Sequence, residues 1–211
     1  MRIDFEELAL YTGLHHQVID ALVNDAFLND LQYSAQINNV EWFYKTSPYY
    51  IFDVMTTRNT GLYEIIYDYI KRRIDRKSTI FDYGAGVGTL AVNLLKRSPA
   101  AIVVDELNLQ CMDFINWRFE QKKKELSFPL LHYDYVVSLD TLQRLEISQI
   151  KPTLKWLLAS GDRCFIYVND DSRYPFYEEL PFNLEKYLKA HSTSVKNFYG
   201  LWDVVINERT D

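Results

Sequence analysis

The sequence predicts an α/β fold: a mostly parallel sheet closed by an antiparallel hairpin and preceded by a helical extension. Three observations carry that prediction. From residue 78 onward, short apolar runs alternate with amphipathic helical runs at the spacing of strand–helix–strand units. The first strand-like run gives way to the glycine cluster Gly84-Ala85-Gly86-Val87-Gly88. The last two such runs, Val195 to Tyr199 and Trp202 to Asn207, are separated only by Gly200-Leu201. Parallel neighbours need a crossover of about a dozen residues, so this final pair must be antiparallel.

Each element follows from its local pattern. Asp4-Phe5-Glu6-Glu7 reads as a capping-box start, and Leu14 to Leu31 carries apolar residues at helical intervals. Residues 38 to 59, with Ser47-Pro48 inside them, are less regular. A helix is expected from Gly61 to Arg73, with Leu62, Ile66, Tyr69 and Ile70 on one stripe. Its last turn holds Lys71, Arg72 and Arg73, the sign that complements the helix dipole. Strands are expected at Thr79 to Tyr83, Ala101 to Val104, Tyr135 to Leu139 and Cys164 to Val168. Between them lie three helices: one marked by Leu90, Ala91, Leu94 and Leu95, one by Cys111, Ile115 and Phe119, and one from Ile150 to Leu158. Such alternation implies right-handed crossovers and a sheet covered on both faces. The texture changes near residue 77, so two regions are expected: residues 1–77 as a helical lid or cap, and 78–211 as the α/β domain.

Composition narrows the function classes. The chain has 211 residues, 48% hydrophobic and 25% charged, which is ordinary for a globular protein. No apolar run approaches the roughly 18–20 residues of a membrane helix. The opening Met1-Arg2-Ile3-Asp4 puts an acid where an export signal would have its apolar core, so a cytoplasmic protein is expected. Its net charge of −6 disfavours general nucleic-acid binding, which comes mostly from cations on phosphates. Cys111 and Cys164 have no metal-site spacing and read as core. Aromatic residues reach 15%, and Trp42-Phe43-Tyr44 and Tyr49-Tyr50-Ile51-Phe52 crowd the first third. They suit either a packed helical layer or the wall of a pocket over a flat ligand.

The glycine cluster lies at the carboxyl end of the first parallel strand, where open α/β sheets bind ligands. The next strand ends in Asp105, and a carboxylate there can accept hydrogen bonds from both hydroxyls of a ribose. Loop, helix, strand and acid together read as a nucleoside-cofactor site. Gly86-Val87-Gly88-Thr89-Leu90-Ala91 also fits the dinucleotide pattern, which keeps a nicotinamide or flavin enzyme open. Against it, Asp82 would repel a pyrophosphate yet favour an ammonium group, and no hydride-transfer constellation follows the loop.

At these residues the chain resembles a known family. Asp82-Tyr83-Gly84-Ala85-Gly86-Val87-Gly88 resembles the first motif of the class I S-adenosylmethionine-dependent methyltransferases. Ile102 to Asp105 resembles their second strand with its ribose-binding acid, and Tyr133 to Leu142 their fourth strand and the loop after it. The resemblance covers roughly residues 78 to 207. It implies a Rossmann-like, mostly parallel sheet of seven strands, or of six. Only Glu125 to His132 separates the Lys122–Lys124 run from the fourth strand, so the third strand must be very short or missing. Glu125 is a poor match for the acid that contacts adenine in many members. The resemblance also implies S-adenosylmethionine as cofactor, cradled by Asp82, Gly84, Ala85, Gly86 and Gly88. Asp82 would sit near its amino group, Asp105 on its ribose with Glu106 alongside, and Ser138 to Asp140 beside the sulfonium and the acceptor.

An acceptor hydroxyl or ammonium needs a base, and Asp140 and His132 are the candidates. Asp140 fits equally as a helix N-cap, and His132 as a residue leading into a strand. The sequence lacks the [ND]-P-P-[YFW] run of amino-DNA methyltransferases and the Pro-Cys of cytosine-C5 enzymes. His15 and His16 are adjacent and point in different directions on a helix, so no metal is expected. A small-molecule acceptor is expected first and a protein side chain second, with no membrane partner and a homodimer left open. Tyr44, Tyr49, Tyr50 and Tyr174 are the expected pocket wall, and Arg58 the expected partner of the cofactor's carboxylate. Two further readings stay open: a non-catalytic binding or scaffold module that keeps the fold, and a nicotinamide-dependent oxidoreductase.

Overall fold

A computed structural model describes residues 2–34, 40–57, 61–168 and 180–207. Four helices come first: α1 (Arg2–Thr12), α2 (His16–Ser34), α3 (Val40–Thr46) and α4 (Tyr50–Thr57). Because α1 begins at Arg2, Asp4 lies inside the helix, whereas the sequence pattern suggested a place before its first turn. The aromatic stretch expected to be irregular is also helical. Ser47-Pro48 only divides it, since proline cannot continue α3, and the Ser47 hydroxyl accepts from the Tyr49 amide at 3.3 Å as α4 begins. Leu8, Ile19, Phe43, Ile51, Val54 and Met55 from this layer are buried in one core.

The rest alternates. After α5 (Gly61–Lys71) come β1 (Thr79–Tyr83), α6 (Thr89–Leu94) running into a 3₁₀ turn, β2 (Ala101–Asp105) and α7 (Leu109–Gln121). Then follow β3 (Tyr133–Leu139), a 3₁₀ turn at Leu142–Arg144, α8 (Ile147–Ala159) and β4 (Gly161–Tyr167). The described chain closes with α9 (Leu184–Ala190), β5 (Ser194–Phe198) and β6 (Leu201–Val205). The described residues form a six-stranded sheet in the order β2-β1-β3-β4-β6-β5. The first four are parallel, and β6 runs antiparallel to both β4 and β5. At the hairpin, Tyr199 (φ 52°) and Gly200 (φ 83°) are both left-handed, which suits a two-residue turn one position earlier than the sequence suggests.

Side chains alternate across the strands. Ile80, Val137 and Phe165 pack on one face with Ile66 and Ile70 of α5 and with Ile115 and Phe119 of α7. Phe81, Val136, Cys164 and Ile166 pack on the other with Leu154 and Leu157 of α8 and Leu188 of α9. Strands buried on both faces read as continuous apolar runs, which is why they were visible in the sequence. By packing, α5 belongs with the sheet, although the change of sequence texture falls after it.

Between α7 and β3 no strand forms among the described residues, which gives the six-stranded alternative. Ser127 alone reaches the edge: its amide donates to the Ile102 carbonyl at 2.9 Å, and its hydroxyl accepts from the Ile102 amide at 3.3 Å. On the opposite side, the buried Asp203 of β6 takes two 2.6 Å hydrogen bonds from Arg163 and one of 2.7 Å from the Tyr69 hydroxyl, pinning α5 to the antiparallel strands.

Candidate functional site

The glycine loop leaves β1 at the carboxyl edge of the sheet. Gly84, Gly86 and Gly88 have φ of 71°, 59° and 71°, the left-handed region that side chains disfavour. A Cβ at Gly84 would run into the Thr141 side chain, and one at Gly88 would come within 2.7 Å of Ile115 Cγ1. The chain's own packing therefore demands glycine at these two positions. The amides of Gly84 and Ala85 donate to the Asp105 carbonyl at 2.8 and 3.1 Å, lashing the loop to the end of β2. The Gly86 amide donates to Glu106 Oε2 at 2.7 Å, while Glu106 Oε1 accepts from the Asn108 amide at 2.8 Å.

Two acids flank this loop on neighbouring strands. Asp82 is buried on β1, in register between Val104 and Val137. Asp105 pairs with Tyr83 at the end of β2 and reaches solvent, yet desolvation by the surrounding atoms raises its carboxyl pKa. Ser138, opposite Tyr83, is buried, and no described residue partners its hydroxyl.

Beyond β3 the chain turns at Asp140, whose φ is 60° and whose amide donates to the Tyr167 carbonyl at 2.8 Å. Asp140 Oδ1 accepts from the Gln143 side chain, and Oδ2 accepts from Arg144 at 3.1 Å. The Arg144 guanidinium stands 5.6 Å from the Tyr44 ring and 5.8 Å from the Tyr50 ring. Burial pulls its pKa down, but Tyr50, Asp140, Tyr44 and Asp53 around it hold the guanidinium well above its ordinary value. Burial pushes both phenols up, so Tyr44 and Tyr50 are neutral. The structure thus brings the two tyrosines of the helical layer to the loop that bears Asp140. Tyr49 is half-buried at the start of α4. Arg58 and Tyr174 lie outside the described residues.

His132 is placed apart from the other candidates. It precedes β3, is exposed, and puts Nε2 2.9 Å from Asp162 Oδ1. The seven residues of β3 separate it from the loop at Asp140, eight steps or roughly 26 Å at about 3.3 Å per residue. Lys122, just past α7, pairs with Glu7 of α1 at 2.5 Å.

The sequence reading missed the connections that hold this site together. Arg118 of α7 is 1% exposed; its Nη1 donates to the Val87 carbonyl in the glycine loop and its Nε to Glu7 of α1, both at 2.7 Å. A charge on the same stripe as Phe114, Ile115 and Phe119 was the available signal. Asn108 caps α7 by accepting from the Cys111 amide at 3.0 Å, while its Nδ2 donates to the carbonyls of Tyr44 and Ser47 at 2.9 and 3.1 Å. Among the described residues, no group of three or more His, Cys, Asp or Glu is placed to hold a metal, and no helix is long and apolar enough to cross a membrane.

No protein-family model and no curated protein matches the sequence. Solved structures match in fold. Magnesium protoporphyrin IX methyltransferase from Synechocystis, with bound SAM, has a TM-score of 0.56 at 13% identity over 78% of this chain and 88% of its own. A TehB-like SAM-dependent methyltransferase from Corynebacterium glutamicum has a TM-score of 0.50 at 16% identity, covering 68% and 86% respectively. A chain of the Pnkp1/Rnl/Hen1 RNA repair complex gives 0.54 at 13% identity, over 71% of this chain and 42% of its own. The strand order, the closing antiparallel hairpin and these likenesses together show that the chain has the fold of the class I S-adenosylmethionine-dependent methyltransferases.

Proposed function

We propose that the protein transfers a methyl group from S-adenosylmethionine to a small-molecule acceptor. One observation carries the reading: a loop left-handed at Gly84, Gly86 and Gly88 is lashed to the end of β2, with Asp82 and Asp105 on either side of it. These residues suit the cofactor. Asp82 offers a carboxylate to an ammonium group, Asp105 offers two acceptors to a ribose, and the Ser138 hydroxyl has hydrogen-bonding capacity unfilled by any described residue. Chemically, the cofactor would supply a methyl carbon on a sulfonium, and the neutral thioether released when the carbon–sulfur bond breaks needs no acid assistance.

The work left to the chain is placement and exclusion of water. Holding two reactants in line can contribute about 7–11 kcal/mol. The α1–α4 layer, packed on Val87 of the loop, is the cap in this reading, with Tyr44 and Tyr50 as neutral walls. Asp140 accepts from Gln143 with one oxygen and from Arg144 with the other, and in this reading it seats Arg144 beside the tyrosines while the methyl acceptor is one already nucleophilic when it binds. The net charge of −6 and the acids flanking the loop favour a small acceptor over a polyphosphate.

Calorimetric titration with S-adenosylhomocysteine, with NADH in parallel, tests the reading. Micromolar binding of the first alone is expected, and Asp105→Ala and Gly86→Val should each lose it while a thermal melt still shows a folded protein. Binding of NADH alone would overturn the proposal. Silence from both would turn the missing third strand into support for a non-catalytic module. An acceptor screen that includes RNA as one arm then fixes the substrate class.

A further inference from the structure

We propose that the rim of the sheet opposite the glycine loop docks on the surface of an anionic lipid bilayer, held there by cations and by two apolar side chains. The proposal goes beyond methyl transfer and does not rest on it. The parallel strands start at this rim, so the segments leading into β1, β2 and β3 all end there. Each carries an exposed pair of cations: Arg76 and Lys77 after α5, Lys96 and Arg97 after α6, Lys123 and Lys124 after α7. Asp75, Glu120 and Glu125 are the exposed acids at the same ends, so the rim stays cationic. Arg73 and Lys122, beside them, are taken by Asp203 and Glu7 and stand outside that balance. Backbone contacts bring the three ends together: the Ala100 amide donates to the Ser78 carbonyl, and the Ser127 amide to the Ile102 carbonyl, both at 2.9 Å. A helix dipole favours cations within its last turn, but Arg76, Lys77, Lys123 and Lys124 lie past the ends of α5 and α7.

The connection from α7 to β3 adds the apolar part. Phe128 is 90% exposed and Leu131 is fully exposed, with Pro129 and Leu130 between them. Single apolar side chains in water are ordinary. Two on one short connection, directly after a lysine pair, have the chemistry of an interfacial anchor: cations for lipid phosphates, and phenylalanine and leucine for the acyl boundary. The connection is fastened by Ser127 on Ile102 and by the Leu130 amide, which donates to the Tyr133 hydroxyl at 2.9 Å, so Phe128 and Leu131 are held outward. Charge selects the occupant. A second copy set face to face would bring Lys123 and Lys124 against their own counterparts, and a nucleic acid would use the cations while giving Leu131 nothing apolar to enter. The net charge of −6 does not cancel the patch. The acids flanking the glycine loop lie a strand away, roughly 17 Å along the five residues of β1, whereas charges are screened over about 8 Å at physiological salt. The expectation of no membrane partner came from the lack of a spanning run, and surface docking needs none. Docked in this way, the protein turns its glycine loop toward water.

The test is co-sedimentation of the full-length protein with vesicles of phosphatidylcholine alone and of phosphatidylcholine with one-third phosphatidylglycerol. Binding to the anionic vesicles alone is expected. Raising salt from about 0.1 M to about 1 M should release it, as the screening length falls from about 10 to about 3 Å. Each cation near an anionic surface is worth about fivefold in partitioning, so Lys123→Gln with Lys124→Gln should weaken binding about 25-fold. Phe128→Ser with Leu131→Ser should weaken it by about tenfold or more and leave Tm unchanged, since both side chains are already in water. If that pair does not fold, Leu131→Ser alone decides. Lys186→Gln with Lys189→Gln on α9, which leads to the opposite edge of the sheet, changes net charge equally and should leave binding within about twofold of wild type. Equal binding to neutral vesicles, no binding to either, or an equal loss in the α9 variant overturns the proposal. So does tighter binding to polyuridylate than to anionic vesicles, which makes the patch a nucleic-acid surface. A dimer that the serine variant dissolves, seen by sedimentation velocity, overturns it too. S-adenosylhomocysteine affinity should be the same in every variant, so failure of the cofactor reading is seen separately.

Discussion

Replacing Glu7 by Gln should loosen the helical layer from the glycine loop. The Arg118 guanidinium is 1% exposed and the Glu7 side chain 16%, with 2.7 Å between Nε and Oε2. Removing one partner of a buried ion pair costs about 3–5 kcal/mol, because the other charge is left uncompensated. Here the partial exposure of Glu7 lets water screen the pair, and its loss also relieves Lys122 of a partner in solvent reach, so the expected cost is about 2–3 kcal/mol. For a chain of this size each kcal/mol lowers Tm by about 2–4 °C, giving a drop of about 4–12 °C. A double-mutant cycle with Arg118→Met, read by urea unfolding, should return a coupling energy of about 2 kcal/mol. Because Arg118 also holds the Val87 carbonyl, Glu7→Gln should weaken S-adenosylhomocysteine binding through Arg118. A coupling within about 0.5 kcal/mol of zero would refute the argument and make the ion pair incidental to how α1 docks.

Asp105→Asn should lower cofactor affinity while raising the stability of the empty protein near pH 7. The folded state raises this carboxyl's pKa, so ionising it works against folding. That penalty is absent below the unfolded value of about 3.9 and grows as pH rises through the folded one, so urea melts at pH 4 should show the variant's advantage shrinking. Gly88→Ala combines a left-handed φ of 71° with a Cβ 2.7 Å from Ile115, and should cost about 2–4 kcal/mol in unfolding experiments. Adding Ile115→Val should recover little, because valine keeps the Cγ1 that the new Cβ meets and removes only the Cδ1 at 3.4 Å. The Cys164 thiol, pushed by burial up to about 12, and the equally buried Cys111 should both be silent to a thiol reagent at pH 8 until denaturant is added.

The sheet was legible because its strands are buried on two faces and punctuated by glycines, and because no crossover fits between the last two runs. The third strand was legible only as very short or missing, since the eight residues from Glu125 to His132 leave little room for it beside its two connections. Short helices were harder: α3 and α4 flank Ser47-Pro48, and the proline masked the helical register on both sides. Pairings distant in sequence, such as Glu7 with Arg118 or Asn108 with Tyr44, leave no local pattern and emerge only from the fold. His132 shows a different lesson. Ligands gather at the carboxyl ends of parallel strands, and a residue that precedes a strand stands at the opposite rim. The direction of β3 was already in the sequence reading and set that histidine at the far end of the strand from the glycine loop.

A sheet that ends in open rims invites another chain to continue it, and this protein blunts its two rims by different means. β5 shows Lys196 and Asn197 to solvent, a charge and an amide that make a poor template for a neighbouring strand. β2 is only five residues long, and both outward backbone groups of Ile102 are taken by Ser127, amide to carbonyl and hydroxyl to amide. Two positions later Pro129 has no amide to offer a ladder. One serine thus stoppers the rim that a third strand would have covered, and fibrillar growth from β2 would first have to pull that stopper out.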